Sequence, residues 1–432
     1  MKIRTMLASS LLFCCAAQSA QAADVKTLVQ QVQPEVINWR HHFHQHPELS
    51  NREYDTAKYV AKYLKSLGLK VQTGVAHTGV VAILDSGKPG PVVALRADMD
   101  ALPVKELGNL PYRSNVTAEY KGQQVPVMHA CGHDTHMAML MGAATVLVKM
   151  KDQLHGQVKF IFQPAEEGAP VGEQGGAKLM VQQGVLKQPD VDVIFGLHIN
   201  AATDVGTVKY RHGGIMAAVD PFKIVVKGQQ SHGAYPWTSV DPIVTASQIV
   251  MALQTIVSRE LVLIDNAAVV TVGMIQGGNR SNIIPSEVTM EGTIRTLNPT
   301  ARAQVYEAMQ RKVSTIGASM RASVELTLPY GDSYPITYNQ PELMDKMLPT
   351  LVRTAGSEHV QEAVAVTGAE DFSFFQEEVP GLYLFVGGKP LDLPADKAPA
   401  HHTPEFSVDD AGMPLGVELL TNLTLDYLQQ HP

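Results

Sequence analysis

The stretch PVMHACGHDTHMAML, residues 126–140, gathers three histidines, one aspartate and one cysteine immediately before an apolar run. Zinc-type divalent cations bind thiolate sulfur, imidazole nitrogen and carboxylate oxygen, so these residue types can form part of a metal site. The C-x-H spacing of Cys131 and His133 suits two ligands of one ion. A cysteine nucleophile with a histidine base, or an inert cysteine at the start of a buried helix, is the alternative. The metal site is favoured because an exported protein would expose a reactive thiolate to oxidation.

Further potential ligands occur later in the chain. Glu166 and Glu167 stand in FQPAEEG after the apolar run KFIF, His198 ends the run VIFGLH, and His401 and His402 stand in APAHHTPEF. Together with the thiol and imidazole above, they are about as many ligands as two metal ions with shared bridging groups need. The sequence therefore predicts a two-metal hydrolase.

The adjacent carboxylates suggest a division of labour. One can bind metal while the other stays free and takes a proton from the activated water as general base. Consecutive residues in a turn point in different directions, so the two side chains need not compete. We assign Glu166 as the base and Glu167 as the ligand.

Each of these groups alone has an ordinary structural explanation. A lone histidine is more often a hydrogen-bonded structural residue, adjacent glutamates commonly form a solvated edge, and a histidine pair can decorate a loop. The metal interpretation is favoured because all of these groups fall at predicted strand ends or in loops.

The elements that must position these side chains are predicted by apolar runs that alternate with helical patterns. VVAIL, PVVALRADMD, QVKFIFQPAEE and VDVIFGLHI are strand-like, and residues 134–151 form the clearest helix. One face of that helix, Met137, Leu140, Met141 and Ala144, is predicted to be buried. Strands separated by helices predict an α/β fold with a parallel or mixed sheet flanked by helices. Ligands gather at the carboxyl ends of such strands, where Asp98 and Asp100 also fall.

The pattern changes between residues 207 and 334. There the order of strand-like and helical segments is βαββαβ, which is typical of an α+β ferredoxin-like sandwich. We therefore predict a catalytic metal-binding domain formed by residues 24–206 and 335–432, with a lid and dimerisation domain, residues 207–334, inserted into it.

Composition and the N-terminus restrict the class of protein. The chain of 432 residues is 45% hydrophobic and carries a net charge of −8, which argues against nucleic acid as a partner. Residues 1–23 have the positive, apolar and small-residue parts of a signal peptide. We expect an exported protein, periplasmic or secreted, without a membrane anchor and with Cys131 as the single cysteine of the mature chain.

The motifs LRADMDALP, MHACGHDTHMAML, FQPAEEG, GLH, SHGAYP, GGNRSNIIPSEV, GTIRT, GAEDFSFF and HHTPEF occur in this order over nearly the whole predicted mature chain. They resemble the amidohydrolase branch of the aminoacylase and carboxypeptidase G metallopeptidases. That branch includes hippurate hydrolases and plant hydrolases of auxin–amino acid conjugates. The resemblance implies a di-metal hydrolase whose inserted lid domain also forms a homodimer.

The resemblance also assigns roles to individual residues. It implies five metal ligands: Cys131, His133, Glu167, His198 and His402. Glu166 is again the base, and His402 is preferred to His401 because it directly precedes the TP of HHTPEF. Asp98 is a doubtful ligand, because this branch lacks the histidine that more distant relatives have there. Asp100 is expected to orient a ligand histidine.

Three residues of the lid are implied in substrate binding or catalysis. His232 in SHGAYP is expected to reach a neighbouring active site and stabilise the oxyanion of the scissile carbonyl. Asn282 and Arg295 are expected near the carboxylate of the substrate, although a salt bridge at a strand edge would also explain Arg295. In GAEDF, Glu370 and Asp371 are expected to shape the site.

The predicted activity is hydrolysis of the amide bond of N-acyl amino acids or related conjugates, with two divalent ions chosen among zinc, manganese, cobalt and nickel. The alternative is a carboxypeptidase or dipeptidase that acts on short peptides with the same residues. A periplasmic binding protein without catalytic activity is a remote third reading, disfavoured because the paired glutamates and all the ligands are present.

Overall fold

The structure is a computed structural model that describes residues 24–264 and 267–431. The predicted signal peptide lies outside the described residues. Numbered in chain order, the helices are α1 (Val25–Gln45), α2 (Tyr54–Ser66), α3 (His133–Lys149), α4 (Gly176–Gln182), α5 (Pro242–Thr255), α6 (Pro299–Ser319), α7 (Pro341–Ala355), α8 (Ser373–Glu378) and α9 (Met413–Gln430). Among the residues described, no helix has the length and apolar character needed to cross a membrane.

The strands are β1 (Lys70–Val75), β2 (Gly79–Asp85), β3 (Val92–Asp98), β4 (Thr117–Tyr120), β5 (Gln123–Pro126), β6 (Gln157–Gln163), β7 (Val193–Asp204), β8 (Val208–Tyr210), β9 (Gly213–Met216), β10 (Ala218–Lys227), β11 (Ser231–His232), β12 (Ala268–Gly277), β13 (Ile283–Ile284), β14 (Glu287–Thr296), β15 (Ser323–Thr327), β16 (Thr337–Asn339), β17 (Val360–Glu362) and β18 (Gly381–Lys389). They form two larger sheets and three two-stranded sheets within the part of the chain that is described.

The central sheet has eight strands in the order β1-β2-β6-β3-β7-β18-β8-β17. Strand β3 is parallel to β6 and β7, and β7 is parallel to β18, whereas β2 is antiparallel to β6. Every residue of β3 is buried, as expected for a strand covered by helices on both faces. The predicted α/β fold with a mixed sheet flanked by helices is confirmed.

Helix α3 lies in the largest apolar core, next to α1 and α9. Its residues from His133 to Leu147 are all buried, so the prediction of one buried face underestimated the burial. The reason is a second layer of helices. A Cβ added at Gly142 would lie 2.8 Å from Val36 of α1 and 2.9 Å from Val417 of α9.

A second unit is built on a four-stranded antiparallel sheet in the order β12-β14-β10-β15. Residues of β10 alternate between buried and partly exposed, and the buried ones share an apolar cluster with residues of α5 and α6. Both helices therefore cover one face of this sheet. In chain order the unit runs strand, helix, two strands, helix, strand, from Ala218 to Thr327.

Strand β7 differs from the expectation that His198 ends a strand. It continues to Asp204, so His198 lies in its middle. The neighbouring strand β3 pairs with β7 only as far as Arg96 opposite Gly196. His198 therefore lies two residues beyond the last pair with β3, level with Asp98 at the end of that strand.

Candidate metal centre

The sulfur of Cys131 lies between two imidazoles that come from distant parts of the chain. Its Sγ is 3.4 Å from Nε2 of His198 and 3.2 Å from Nε2 of His402. The same His402 nitrogen is 3.0 Å from Oε1 of Glu167. These groups form two overlapping sets within ligand reach of one ion, Cys131 with His133 and His198, and Cys131 with Glu167 and His402.

His133 completes the cluster from the first residue of α3. Its Nδ1 is 3.4 Å from Oδ1 of Asp100, and its Nε2 is 3.8 Å from Glu166 and 4.0 Å from Glu167. None of these contacts has hydrogen-bond geometry, and both buried ring nitrogens lack a partner. Because buried polar atoms are normally satisfied, the unpaired nitrogens fit a site that binds cations.

Backbone conformation brings the ligands into this arrangement. Gly132, between Cys131 and His133, has φ of 97°, where residues with a side chain are strained. His402 also has a positive φ, 64°, and its N–H donates to the carbonyl of Ala130 at 2.8 Å. A non-glycine residue in this region is uncommon and often belongs to a functional site.

Hydrogen bonds decide which histidines keep a nitrogen free for metal. Nδ1 of His198 is 2.6 Å from the carbonyl oxygen of Ile199, so it donates there and leaves the Nε2 lone pair facing Cys131. His136 uses both nitrogens, Nδ1 on Asp98 at 2.6 Å and Nε2 as acceptor of the Ile199 N–H at 2.8 Å. His136 therefore supports the site through these two hydrogen bonds.

His401 is also fully engaged. Its Nε2 accepts the N–H of Ala201 at 3.1 Å and its Nδ1 is 3.1 Å from the carbonyl of Cys131. It therefore fixes the loop from which its neighbour His402 enters the cluster. Both nitrogens of buried His129 lack a hydrogen-bond partner, and this histidine is outside every ligand group found in the described chain.

The electrostatics of the site favour a bound cation. Burial, followed by Glu167 and Glu166, raises the pKa of the Cys131 thiol well above its ordinary range. Burial, Glu370 and Glu167 likewise raise the pKa of Glu166. Buried acids this close cannot all ionise unless cations stabilise their charged forms. The donor set of sulfur, nitrogen and oxygen fits zinc-type divalent ions, and it argues against Cys131 as a free thiolate nucleophile.

Asp100 has a wider role than the predicted orientation of a histidine. Besides facing Nδ1 of His133, its two oxygens accept the N–H groups of Glu166 and Glu167, both at 3.0 Å. Ser50 donates to Oδ2 of the same carboxylate at 2.7 Å. Asp100 therefore holds the turn that carries the proposed base and its neighbouring ligand.

A buried arginine organises the acidic groups behind the centre. Arg96 donates to Asp98 at 2.6 Å, to Glu370 at 2.9 Å and to Asp371 at 3.0 Å. Asp98 is thus bonded to Arg96 through Oδ2 and to His136 through Oδ1. Arg96 was not predicted as a site residue, although an arginine inside the apolar run VVALRAD was a signal.

The lid residues lie apart from this cluster. His232 of β11 pairs with Ile283 of β13, is exposed, and accepts the N–H of Ala234 at 3.0 Å through Nδ1. Asn282 adjoins it, because its carbonyl accepts the N–H of Gly233 at 2.8 Å. In the described chain, no hydrogen bond or ion pair joins either residue to the metal cluster.

Arg295 of β14 is half-buried and donates to the carbonyl of Thr367 at 3.3 Å. It therefore reaches the segment that leads to Glu370 and Asp371. Burial lowers its pKa from the ordinary value. Among the described residues it has no salt bridge to a carboxylate, so the strand-edge salt bridge considered as an alternative does not form.

A cavity of about 600 Å³ borders the centre at Glu167. Its wall includes the turn of the β4–β5 hairpin with Tyr120, the apolar residues Leu49 and Leu102, and Val171. It is large enough for the organic group of a small substrate.

Comparisons with known proteins agree with this geometry. The family model described as Peptidase family M20/M25/M40 matches residues 94–426. Thermostable carboxypeptidase 2 of Saccharolobus solfataricus is 41% identical over 393 residues, which cover 91% of this chain and 95% of the relative. IAA-amino acid hydrolase ILR1-like 2 of Arabidopsis thaliana is 36% identical over 420 residues, 96% of this chain and 91% of the relative. The crystal structure of the Bacillus subtilis YXEP protein, a dinuclear metal binding peptidase, superposes with a TM-score of 0.75 at 34% identity and covers 93% of this chain and 99% of that one.

Proposed function

The chain belongs to peptidase family M20/M25/M40, and we propose that it hydrolyses the amide bond of N-acyl amino acids or related amino-acid conjugates. The predicted family and the predicted metal-dependent hydrolase with a dinuclear centre are confirmed. The observation that carries the proposal is the position of Glu166, whose Oε2 lies 3.8 Å from Nε2 of His133 at the edge of the ligand cluster. The similar Arabidopsis hydrolase is named for an acylated amino acid as substrate.

The residues of the site have different roles in the proposed reaction. Cys131, His133, Glu167, His198 and His402 would hold the two divalent ions. When bound, these ions supply Lewis acidity to the scissile carbonyl and lower the pKa of a water molecule. Glu166 takes a proton from the attacking water and delivers it to the leaving amine.

Substrate recognition uses the lid and the cavity. Arg295, which has no carboxylate partner among the described residues, donates to the carboxylate of the amino-acid part together with Asn282. The acyl group occupies the cavity of about 600 Å³ beside Glu167. His232 stabilises the oxyanion and enters from a second copy of the chain, because in its own chain it is exposed and unconnected to the cluster.

The homodimer forms through the lid. Strand β12 is an edge of the lid sheet, and it exposes Val269 and Ile275, while Met251 of α5 is 70% exposed. An edge strand with apolar side chains is normally covered in native proteins. Pairing of two lids along β12 covers these groups and brings His232 toward the partner.

Export follows from the N-terminal segment. We infer that residues 1–23 direct the chain across a membrane and are removed, which places the enzyme in the periplasm or the medium. Mass spectrometry of the mature protein from the periplasmic and medium fractions tests this inference. A new N-terminus near Ala22 or Ala23 supports it, and an intact Met1 in an active cytoplasmic protein contradicts it.

The test of the activity combines metal analysis with a substrate panel. The purified protein is expected to contain two equivalents of divalent metal, to lose activity with chelator, and to regain it when a single metal is added back. Hippurate and N-acetyl amino acids are compared with dipeptides that have a free amino terminus. Preference for the dipeptides would favour a carboxypeptidase, the alternative supported by similarity to the Saccharolobus relative.

A further inference from the structure

The segment between α1 and α2 contacts the turn that carries the proposed base. This anchor segment consists of residues 48–53, ELSNRE. Four of its side chains reach the region 165–174 or the carboxylate that holds it: Ser50, Asn51, Arg52 and Glu53. Ser50 donates to Asp100 at 2.7 Å, and Asn51 donates to the carbonyl of Gln174 at 3.0 Å.

Glu53 makes the contact nearest to the base. Its carboxylate is buried, Oε1 accepts the N–H of Ala165 at 2.9 Å, and Oε2 accepts the hydroxyl of Thr78 at 2.6 Å. Ala165 directly precedes Glu166 in the chain. A buried carboxylate is costly unless its oxygens are paired, so the two bonds fix both Glu53 and the amide that it holds.

The backbone at Ala165 needs such a restraint. Its φ is 52°, in the left-handed region that residues with a Cβ rarely occupy. Such a conformation persists only when its surroundings hold it in place. Here the N–H of Ala165 ends on Glu53, and the next two N–H groups, of Glu166 and Glu167, end on Asp100.

We propose that Glu53 is a positioning residue: it clamps the Ala165 amide and thereby sets the direction in which the turn presents the Glu166 carboxylate. This inference rests on the proposed function, because it assumes Glu166 to be the base. Glu53 touches neither the ligand atoms nor the substrate cavity, so its loss changes the placement of the base and leaves the ligand set intact. Misplacement of a reacting group by about 1 Å can cost on the order of 100-fold in rate.

The test compares Glu53→Ala with Glu53→Gln. The glutamine can accept the Ala165 N–H with its carbonyl and donate its amide to Thr78, so it retains both contacts. The alanine leaves the amide unpaired. Glu53→Ala is expected to lower kcat about 10- to 100-fold with KM changed less than about twofold, and Glu53→Gln to restore kcat to within about threefold of the parent. Metal content is expected to stay at the parent value in both.

Glu48→Ala is the matched control in the same segment. Its carboxylate accepts the N–H groups of Asp55 at 3.2 Å and Thr56 at 2.8 Å at the start of α2, and it makes no contact with the turn. It is expected to lower the melting temperature without changing kcat per metal-loaded site. If Glu53→Ala does not fold, Glu53→Asp replaces it, because the shorter side chain withdraws the carboxylate from the amide.

Hydrogen exchange gives a readout that does not depend on activity. The Ala165 amide is expected to be protected in the parent and in Glu53→Gln, but to exchange at least about tenfold faster in Glu53→Ala. Unchanged kcat and unchanged Ala165 exchange in Glu53→Ala would overturn the inference. A parent enzyme that hydrolyses no N-acyl amino acid would instead overturn the proposed function, and the exchange result would still decide whether Glu53 holds the turn.

Discussion

Glu166 and Glu167 are neighbours in the chain but have different surroundings. Glu167 faces Nε2 of His402 at 3.0 Å, within the group that also contains Cys131. Glu166 is the more deeply buried of the two and is surrounded by other acids, among them Glu370. These surroundings support metal binding by Glu167 and proton transfer by Glu166, and both roles remain predictions.

Glu166→Gln tests this assignment. The substitution keeps the volume and removes the basic oxygen, so turnover is expected to fall by about 10²- to 10⁴-fold, the usual contribution of a general base. Metal content, measured by elemental analysis, is expected to remain at the parent value because the ligands are untouched. Glu362→Gln, at an exposed position of β17, is the control with the same chemical change. Full activity of the Glu166 variant would mean that another group is the base.

At the scale of the element, the start of α3 depends on one glycine. Gly132 has φ of 97°, and a Cβ there would overlap the side chain of Ile199. A side chain at residue 132 would therefore force its surroundings to shift, and the turn sets the separation of Cys131 and His133. The same kind of tight geometry recurs at Ala165 and His402, which also have positive φ.

Gly132→Ala is expected to lower both stability and metal affinity. Gly122→Ala in the β4–β5 hairpin is the matched control, because Gly122 has φ of 77° and open space around its Cβ position. Both variants bear the strain of a side chain at positive φ, about 1 kcal/mol. Only the first also displaces the ligands. Thermal unfolding and competitive chelation should show a larger loss of stability for Gly132→Ala and a weaker metal affinity in that variant alone.

A buried ionic network fastens the same end of α3 to α1. Nδ1 of His44 is 3.0 Å from Asp134, and its Nε2 is 3.3 Å from Glu106. Arg40 approaches the same Asp134 oxygen at 3.3 Å. Burial lowers the pKa of His44, but the hydrogen bonds to Asp134 and Glu106 outweigh burial and raise it to about 9.

The sign of the pH effect follows from this shift. Because the pKa of His44 is higher in the folded state than in the unfolded chain, its stabilisation is complete below about pH 6.5 and is lost as pH rises through about 9. The free energy of unfolding of the parent relative to His44→Gln should therefore shrink over this window, by on the order of 3 kcal/mol. Urea unfolding at both ends of the window measures it. His359→Gln, at an exposed site, should show no such trend.

For the whole molecule, the sequence predicted the sheet and the groups at its edge because apolar runs end in acids or imidazoles. It placed Asp98, Asp100 and the glutamate pair correctly beside one another. The sequence did not predict the hydrogen bond between Glu53 and Ala165, which are 112 residues apart. Hydrophobic periodicity indicates which side of an element is buried, but not which residues it contacts. Arg96 was missed for a related reason, since a charged residue inside an apolar strand is explained only by acids that arrive from distant segments.

The proposed dimer allows a test of whether His232 acts in the active site of the partner. If His232 acts in the active site of a partner, Glu166→Gln and His232→Ala each inactivate the enzyme, but a mixed dimer contains one site with both native groups. After random exchange of subunits in an equal mixture, half of the dimers are mixed and one site in each is complete, so about a quarter of the parental activity should return. Replacing Ile275, which is 52% exposed on β12, with lysine in both variants is expected to weaken the dimer and abolish this recovery. Size-exclusion chromatography with light scattering reports the dimer independently. A mixture that stays inactive although mixed dimers form would place the action of His232 within its own chain.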